Sequence, residues 1–293
     1  MTRLLLGLMW LLHWLPLPIL GRLGKGMGSM LFLIMKPRRH ITLTNLRLTQ
    51  PQLDDAARER LAREHFQGYA RSVLERAVLW WASPRRLARL IEVDPAVPIE
   101  QMTKRPTILM CPHFVCLEVA GVALTMAVEA CSVYSRQSDE VFDEALRRGR
   151  LRFTKDESNL VAREAGIKPI IRIMRGGKPF LMLPDMDFGP RESIFVPFFG
   201  VPAATLTAPA RLAATTGAQI IPVVARFLPN YRGWKVSFYP AWEDYPGEDM
   251  EAATRRMNAF IEDRVREAPA EYFWSHKRFK TRPEGEPGFY DRA

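Results

Sequence analysis

Short apolar runs alternate with longer stretches of helical character from about residue 105 to the end of the chain. A short apolar run bounded by turn residues is typical of a buried strand, and the stretches between the runs are long enough for crossover helices. Strands joined by such helices lie in a largely parallel sheet. The pattern therefore predicts an α/β fold with a mixed, largely parallel central sheet flanked by helices. The predicted strands are 107–111, 131–136, 179–184, 219–225 and 234–239, and the predicted helices are 117–129, 140–150, 157–176, 205–217 and 248–267.

A second apolar region lies at the N-terminus. Residues 4–20 contain no Asp, Glu, Lys or Arg, and residues 26–35 continue the apolar character. The first stretch is at the short end of what crosses a bilayer, and two prolines near its end would bend it. Either one short membrane span or a hairpin in the membrane interface fits, whereas a signal peptide is disfavoured because no small-x-small cleavage site follows. We therefore predict that residues 1–35 anchor the protein in a membrane and that residues 36–293 form one domain.

Basic residues crowd the end of this apolar region. By the positive-inside rule, they keep the rest of the chain on the cytoplasmic side of the membrane. The basic residues are Arg22, Lys25, Lys36, Arg38 and Arg39.

Helical segments are predicted on both sides of residue 50. Four glycines of the apolar region lack the GK[ST] ending of a phosphate loop, and we interpret them as sites of close helix packing. Downstream, Asp54 and Asp55 are placed to cap a lead-in helix at about 54–82, which precedes the α/β core at about 105–293. The glycines are Gly21, Gly24, Gly26 and Gly28.

The chain carries a formal net charge of +10. A basic surface favours anionic partners, which include nucleic acid, acidic lipid headgroups and an acidic carrier protein. No arginine-rich tail or zinc-finger spacing supports nucleic acid, whereas the apolar N-terminus favours membrane lipids. The three cysteines form no CxxC pair, which argues against a disulfide framework and a structural zinc site. Neither a metal nor a cofactor is predicted.

The end of the first predicted strand carries a histidine. Pro112 breaks the strand and presents His113, and Glu118 follows five residues later. On one continuous helix these two side chains would point about 140° apart, so they meet only if His113 lies on the turn and Glu118 in the first helical turn. A carboxylate beside an imidazole fixes its tautomer and suits it to act as a general base towards a hydroxyl that attacks a thioester. Alternatively, His113 is a loop histidine without a chemical role.

Charged side chains follow two further predicted strands. Asp185 and Asp187 follow residues 179–184, where they could bind a cation, position a substrate or cap the next element. Arg136 follows residues 131–135 and lies near a basic cluster whose natural targets are phosphates or an acidic partner. The cluster consists of Arg147, Arg148, Arg150 and Arg152.

Four blocks of the sequence resemble a known family. HFVCLE at 113–118 resembles the H-x4-D/E motif of the glycerolipid and lysophospholipid acyltransferase superfamily. GRLR at 149–152, DMDFGPRESIFVPFFG at 185–200 and WSHKRFKTRPEG at 274–285 are similar to the late acyltransferases of lipid A biosynthesis, of the lauroyl/myristoyl type. One H-x4-E is common by chance, whereas four blocks in this order are not. Small departures, such as Met186 in place of a frequent Gln, leave acyl length and the acceptor hydroxyl open.

The resemblance implies an O-acyltransferase on the cytoplasmic side of the inner membrane. Such an enzyme moves a secondary acyl chain from acyl carrier protein to a hydroxyl of a lipid A precursor, in lipopolysaccharide biosynthesis. The family's catalytic dyad falls on His113 and Glu118, with Glu118 expected to orient His113. The family fold, a mixed sheet flanked by helices, agrees with the strand pattern. The predicted substrate contacts are Arg136, Arg150, Arg152, Asp185, Asp187, His276 and Arg278.

Three other interpretations stay open at this point. Cys111 and Cys116 bracket His113, so a thioester intermediate on cysteine is conceivable, although cysteine is also a frequent core residue. The acceptor could instead be a lysophospholipid or an amino-acid lipid, and the donor could be coenzyme A. A non-catalytic protein that binds anionic lipid through its basic face is the alternative of a different class.

Overall fold

The computed structural model describes residues 1–290, so the last three residues of the predicted domain 36–293 lie outside it. Its centre is a seven-stranded sheet of order β1-β9-β8-β2-β5-β3-β4, in which β8 and β9 are antiparallel and the other neighbours are parallel. The predicted fold class is confirmed. The strands are β1 Ile91–Pro95, β2 Thr107–Met110, β3 Cys131–Tyr134, β4 Leu160–Ala162, β5 Phe180–Met182, β6 Ser193–Phe198, β7 Val201–Leu206, β8 Gln219–Phe227 and β9 Trp234–Phe238.

Helices cover both faces of this sheet. In β2, Leu109 packs into one hydrophobic core, together with residues of α4 and α6, while Ile108 packs into a second core with residues of α9 and α10. Successive side chains of a strand point to opposite faces, so a strand buried on both sides is apolar at every position. The helices are α1 Thr2–Leu12, α2 Leu17–Ile34, α3 Lys36–Thr49, α4 Asp55–Trp81, α5 Pro84–Leu90, α6 Leu117–Ala127, α7 Glu140–Arg150, α8 Lys168–Arg175, α9 Ala208–Thr216 and α10 Met250–Glu267.

Parts of the chain differ from the predicted pattern. The predicted helix 157–176 is wrong over its first half, because residues 160–162 form strand β4 and pair with β3, and only α8 is α-helical. Gly166, at φ 72°, separates the two. Strand β1 and the β6–β7 hairpin lie where no strand was predicted, and the hairpin turns at Phe199 and Gly200, whose φ angles are 52° and 77°. These errors concern short segments, whose conformation depends on tertiary pairing rather than local pattern.

Helix α2 packs along α4 through its glycines. A Cβ atom added at Gly24 would lie 2.5 Å from the Cα atom of Arg71, and one added at Gly28 would lie 2.4 Å from the Cα atom of Gln67. Gly21 faces the ring of Tyr231 at a similar distance, whereas a Cβ at Gly26 would meet nothing within 4 Å. The prediction of close helix packing is therefore confirmed for Gly24 and Gly28 and is wrong for Gly26, whereas Gly21 packs against a side chain outside α4. Within residues 1–290, α2 is also the one helix long and apolar enough to cross a membrane by length and composition.

Alanine at Gly24 should destabilise the protein because its methyl group would overlap the α4 backbone. Overpacking of this kind typically costs about 1–3 kcal/mol, so we expect Gly24→Ala to lower the free energy of unfolding by that amount. Gly26→Ala is the matched control: its methyl group enters open space, and replacing a helical glycine stabilises by about 0.5–1 kcal/mol. Thermal unfolding of both variants in detergent measures the difference. Equal melting temperatures would show that α2 is not packed on α4.

Candidate active site

Two neighbouring strands bring His113 and Asp185 together. The backbone N–H of His113 donates to Asp185 Oδ2 at 2.9 Å, and His113 Nδ1 lies 2.7 Å from Asp185 Oδ1. An ionised carboxylate accepts hydrogen bonds only, so Nδ1 carries the proton and donates it. Nε2, which has no hydrogen-bond partner among residues 1–290, is then the basic nitrogen. His113 also lines a large cavity, whereas Asp185 is buried behind it.

The surroundings of Asp185 keep it ionised. Burial alone would raise the pKa of Asp185, but the adjacent His113, through its charge and hydrogen bonds, and the positive charge of Arg278 outweigh this effect and hold the pKa below its usual value. Burial also lowers the pKa of His276 to about 4, with the charges of Arg278 and His113 acting in the same direction. His276 is therefore neutral near pH 7, and its Nε2 accepts a hydrogen bond from the Asp187 N–H at 3.1 Å.

Glu118 pairs with Arg150 rather than with His113. Glu118 lies in the first turn of α6, as predicted, and Arg150 is the last residue of α7. Both carboxylate oxygens of Glu118 accept from the Arg150 guanidinium, one of them from Nε at 3.3 Å. Burial alone would raise the pKa of Glu118, but the charges of Arg150 and Arg76 outweigh it and lower the pKa to about 2. The expected contact between Glu118 and His113 is thus corrected: the carboxylate on the ring is Asp185, which the sequence analysis had assigned to substrate binding.

A cavity of about 610 Å³ connects these groups. His113, Glu118 and Arg150 line it, and most of its remaining wall is apolar, with contributions from α6, β3 and β5. A cavity with an apolar wall and a few polar groups holds an apolar ligand and fixes its reactive end near those groups. The apolar side chains of this wall include Leu117, Val122, Leu124, Val133, Phe180, Leu181 and Leu183.

Four residues that were predicted to contact the substrate lie outside the cavity. Three of them bind other parts of the protein, and one faces solvent. Arg152 donates to the backbone carbonyl groups of Leu79 and Ala82 at the end of α4. Arg278 is buried and donates to Ala204 O and Thr205 Oγ1, both at 2.9 Å. Asp187 accepts from the backbone N–H and the hydroxyl group of Thr281, and Arg136 is exposed. None of these four residues lines the cavity.

The positions of Cys111 and Cys116 argue against a cysteine nucleophile. Cys111 and Cys116 are buried, and burial raises the pKa of both thiols. A buried thiol with a raised pKa stays protonated near neutral pH and is a poor nucleophile. Neither residue lines the cavity that contains His113.

Sequence reasoning missed two neighbours of the site. Arg76 of α4 lowers the pKa of Glu118, yet the sequence analysis did not single it out. Gly149 packs against Trp80, because a Cβ atom added there would lie 2.4 Å from Trp80 Nε1. The GRLR block therefore needs its glycine to let α7 approach α4, a contact that the block's resemblance alone does not reveal.

Comparisons with known proteins agree on one family. The family model described as bacterial lipid A biosynthesis acyltransferase matches residues 1–281. The chain is 34% identical to the lipid A biosynthesis lauroyltransferase of Escherichia coli (strain K12), over 99% of this chain and 94% of the relative. It is 30% identical to the palmitoleoyltransferase of the same organism, over 97% and 92%. It is also 30% identical to the myristoyltransferase of that organism, over 94% and 84%.

The Glu118–Arg150 pair predicts a pH dependence of stability. The pKa of Glu118 is lowered from 4.5 to about 2 in the folded protein. A lowered pKa contributes stability above the unfolded-state value, and this contribution is lost as the pH falls through the folded-state value; here it is on the order of 3 kcal/mol. We therefore expect the stability difference between wild type and Glu118→Gln to shrink from about pH 5 to about pH 2. Urea unfolding across that range measures it. A difference independent of pH would contradict the ion pair.

Proposed function

The chain belongs to the bacterial lipid A biosynthesis acyltransferase family, and we propose that it transfers a fatty acyl group from acyl carrier protein to a hydroxyl of a lipid A precursor. The observation that carries this proposal is an apolar cavity with a histidine, held by a buried carboxylate, among its few polar groups. The cavity suits a fatty acyl chain, and the histidine suits deprotonation of a hydroxyl. The reaction is the secondary acylation of the lipid A precursor, on the cytoplasmic side of the inner membrane.

His113 is the proposed general base. Nε2 removes the proton of the acceptor hydroxyl as its oxygen attacks the thioester carbonyl carbon. The C–S bond then breaks, and the resulting imidazolium returns the proton to the leaving thiolate. Asp185 keeps the proton of the neutral ring on Nδ1 and stabilises the imidazolium, because it accepts from the ring throughout.

The Glu118–Arg150 pair is the second part of the proposed machinery. Arg150 lines the cavity, and the geometry leaves its Nη1 without a hydrogen-bond partner among residues 1–290. A guanidinium group in that place stabilises the negative charge that develops on the thioester carbonyl oxygen. Glu118 fixes the guanidinium through both of its oxygens, so it acts on the reaction through Arg150.

The proposed donor is supported by charge. The formal net charge of +10 attracts an acidic carrier protein, and Arg163, which is exposed, lies on the cavity wall. If the acyl chain enters the cavity beside Arg163, the acidic surface of the carrier protein contacts the basic surface of this protein. Contacts of this kind weaken with salt, since exposed charges are screened within about 10 Å at 0.1 M.

The reaction is tested with purified protein. Acyl carrier protein charged with a fatty acid and a lipid A precursor with a free hydroxyacyl chain should give one product heavier by one acyl group, detected by mass spectrometry. We expect the rate to fall as salt is raised from low concentration. Acyl coenzyme A serves as the alternative donor and a lysophospholipid as the alternative acceptor. Faster turnover with either, or no acylated lipid A product, would refute the corresponding part of the proposal.

The histidine mechanism is tested by paired substitutions. Loss of a general base typically costs about 10²–10⁴ in rate, so His113→Ala should lower kcat by that factor. Asp185→Asn should lower kcat with little change in KM, because an amide no longer imposes the Nδ1–H tautomer. Asp187→Asn is the matched control, since this neighbour contacts Thr281 instead, and it should affect thermal stability more than kcat. A control as inactive as Asp185→Asn would show that the loss is structural.

A further inference from the structure

Helix α2 has three distinct faces. With about 100° per residue, the packed glycines Gly21, Gly24 and Gly28 form one face. A second face is exposed and apolar, and a third is polar; the three lie roughly a third of a turn apart. The apolar face consists of Ile19, Leu23, Met30 and Ile34, and the polar face consists of Arg22, Lys25 and Ser29.

This arrangement fits a helix that lies in the plane of a membrane surface. A spanning helix needs apolar side chains on every exposed face in its middle, but Arg22 and Lys25 are exposed in the middle of α2. An interfacial helix instead carries an apolar stripe from end to end and basic side chains beside it. The apolar stripe of α2 runs from Ile19 to Ile34, so the helix has the second pattern.

The packing of α2 against the rest of the protein also supports a position in the membrane surface. The close contacts of Gly24 and Gly28 tie α2 to α4, which exposes charged side chains at Glu59, Arg60 and Arg63. If α2 crossed a bilayer, the part of α4 that packs on it would lie in or near the bilayer with these charges. The packing that joins α2 to α4 therefore argues against a crossing.

The connection between α1 and α2 is also held at the protein surface. The guanidinium group of Arg86, on α5, donates to the carbonyl groups of His13 and Leu15. At the other end of α1, the hydroxyl group of Thr2 donates to Asp139 at 2.6 Å. With 11 residues, α1 is about 16 Å long, which is short of the about 30 Å hydrocarbon core of a bilayer. Both ends of α1 thus stay against the folded domain.

We propose that α1 and α2 form a monotopic anchor, which inserts its exposed apolar side chains into one leaflet of an anionic phospholipid bilayer and does not cross it. Exposed apolar residues of α1 add to those of α2, and the basic residues Lys25 and Lys36 complement anionic headgroups beside them. This selects the interfacial arrangement of the two that the sequence left open, and it does not depend on the proposed reaction. The α1 residues are Leu4, Leu5, Leu8 and Leu11.

The anchor lies next to the cavity that contains His113. A cleft between α1 and α7 is lined by Leu6, Trp80 and Gly149, among others, and the last two also line that cavity. Trp80 and Gly149 thus separate α1 from the cavity.

Labelling adjacent residues tests the proposal in the full-length protein. The native cysteines are buried, so single cysteines are introduced at Leu23, Met30 and Ile34 on the apolar face and at the exposed residues Arg22 and Lys25 on the polar face. Each is labelled with an environment-sensitive fluorophore, and the protein is placed in vesicles of phosphatidylethanolamine and phosphatidylglycerol. Quenching by phospholipids brominated near the headgroup or near the chain ends reports depth, and aqueous iodide reports water access. Thermal unfolding confirms that each variant is folded.

We expect equal, shallow depths at Leu23, Met30 and Ile34, with the strongest quenching by bromine near the headgroup. Arg22 and Lys25 should be quenched by iodide and hardly by bromine, and the adjacent pair Arg22 and Leu23 gives the sharpest contrast. A spanning helix gives the opposite profile: Lys25 deepest, Ile34 shallow, and no iodide quenching at the middle positions. That profile would overturn the proposal and would leave the acyltransferase assignment intact.

Discussion

A buried carboxylate at the end of a sheet organises the candidate active site. Asp185 accepts from the backbone N–H and from the ring of His113, so one side chain fixes both the turn after β2 and the orientation of the imidazole. An unpartnered carboxylate in this place would be strongly destabilising, because ions lose their hydration on burial. The hydrogen bonds that offset the cost of burying the Asp185 carboxylate are therefore the same ones that position His113.

The strand register explains why two residues so distant in sequence meet. Met110 of β2 pairs with Met182 of the parallel strand β5, and His113 and Asp185 each lie three residues beyond these partners. The pairing even continues past β2, since Cys111 N–H donates to Met182 O at 2.8 Å. Parallel strands carry their carboxyl ends to the same edge, so equal extensions from a registered pair end side by side. The contact follows from strand order, which no local pattern encodes.

Contacts that depend on strand order could not be predicted from the sequence. The apolar runs located β2, β8 and β9, and the spacing of His113 and Glu118 correctly placed one on a turn and the other in the first turn of a helix. The partner of the ring was predicted wrongly because Glu118 is close in sequence, whereas Asp185 is close only after β5 pairs with β2. Arg278 was taken for a substrate contact, although its buried guanidinium ties β7 to the chain's closing block. A motif shows that a residue matters but not whether it binds a substrate or holds the fold.

Helix α7 connects the N-terminal helices to the cavity. Asp139, which caps its N-terminus, binds Thr2 of α1, and Arg150 at its C-terminus binds Glu118 in the cavity. A helix of 11 residues is about 16 Å long, so the length of α7 sets the separation between its contact with α1 and its contact in the cavity. Gly149 lets α7 lie directly on Trp80 and thereby fixes its lateral position as well. In the membrane arrangement that we propose, α7 therefore relates the position of the membrane surface to that of the Glu118–Arg150 pair.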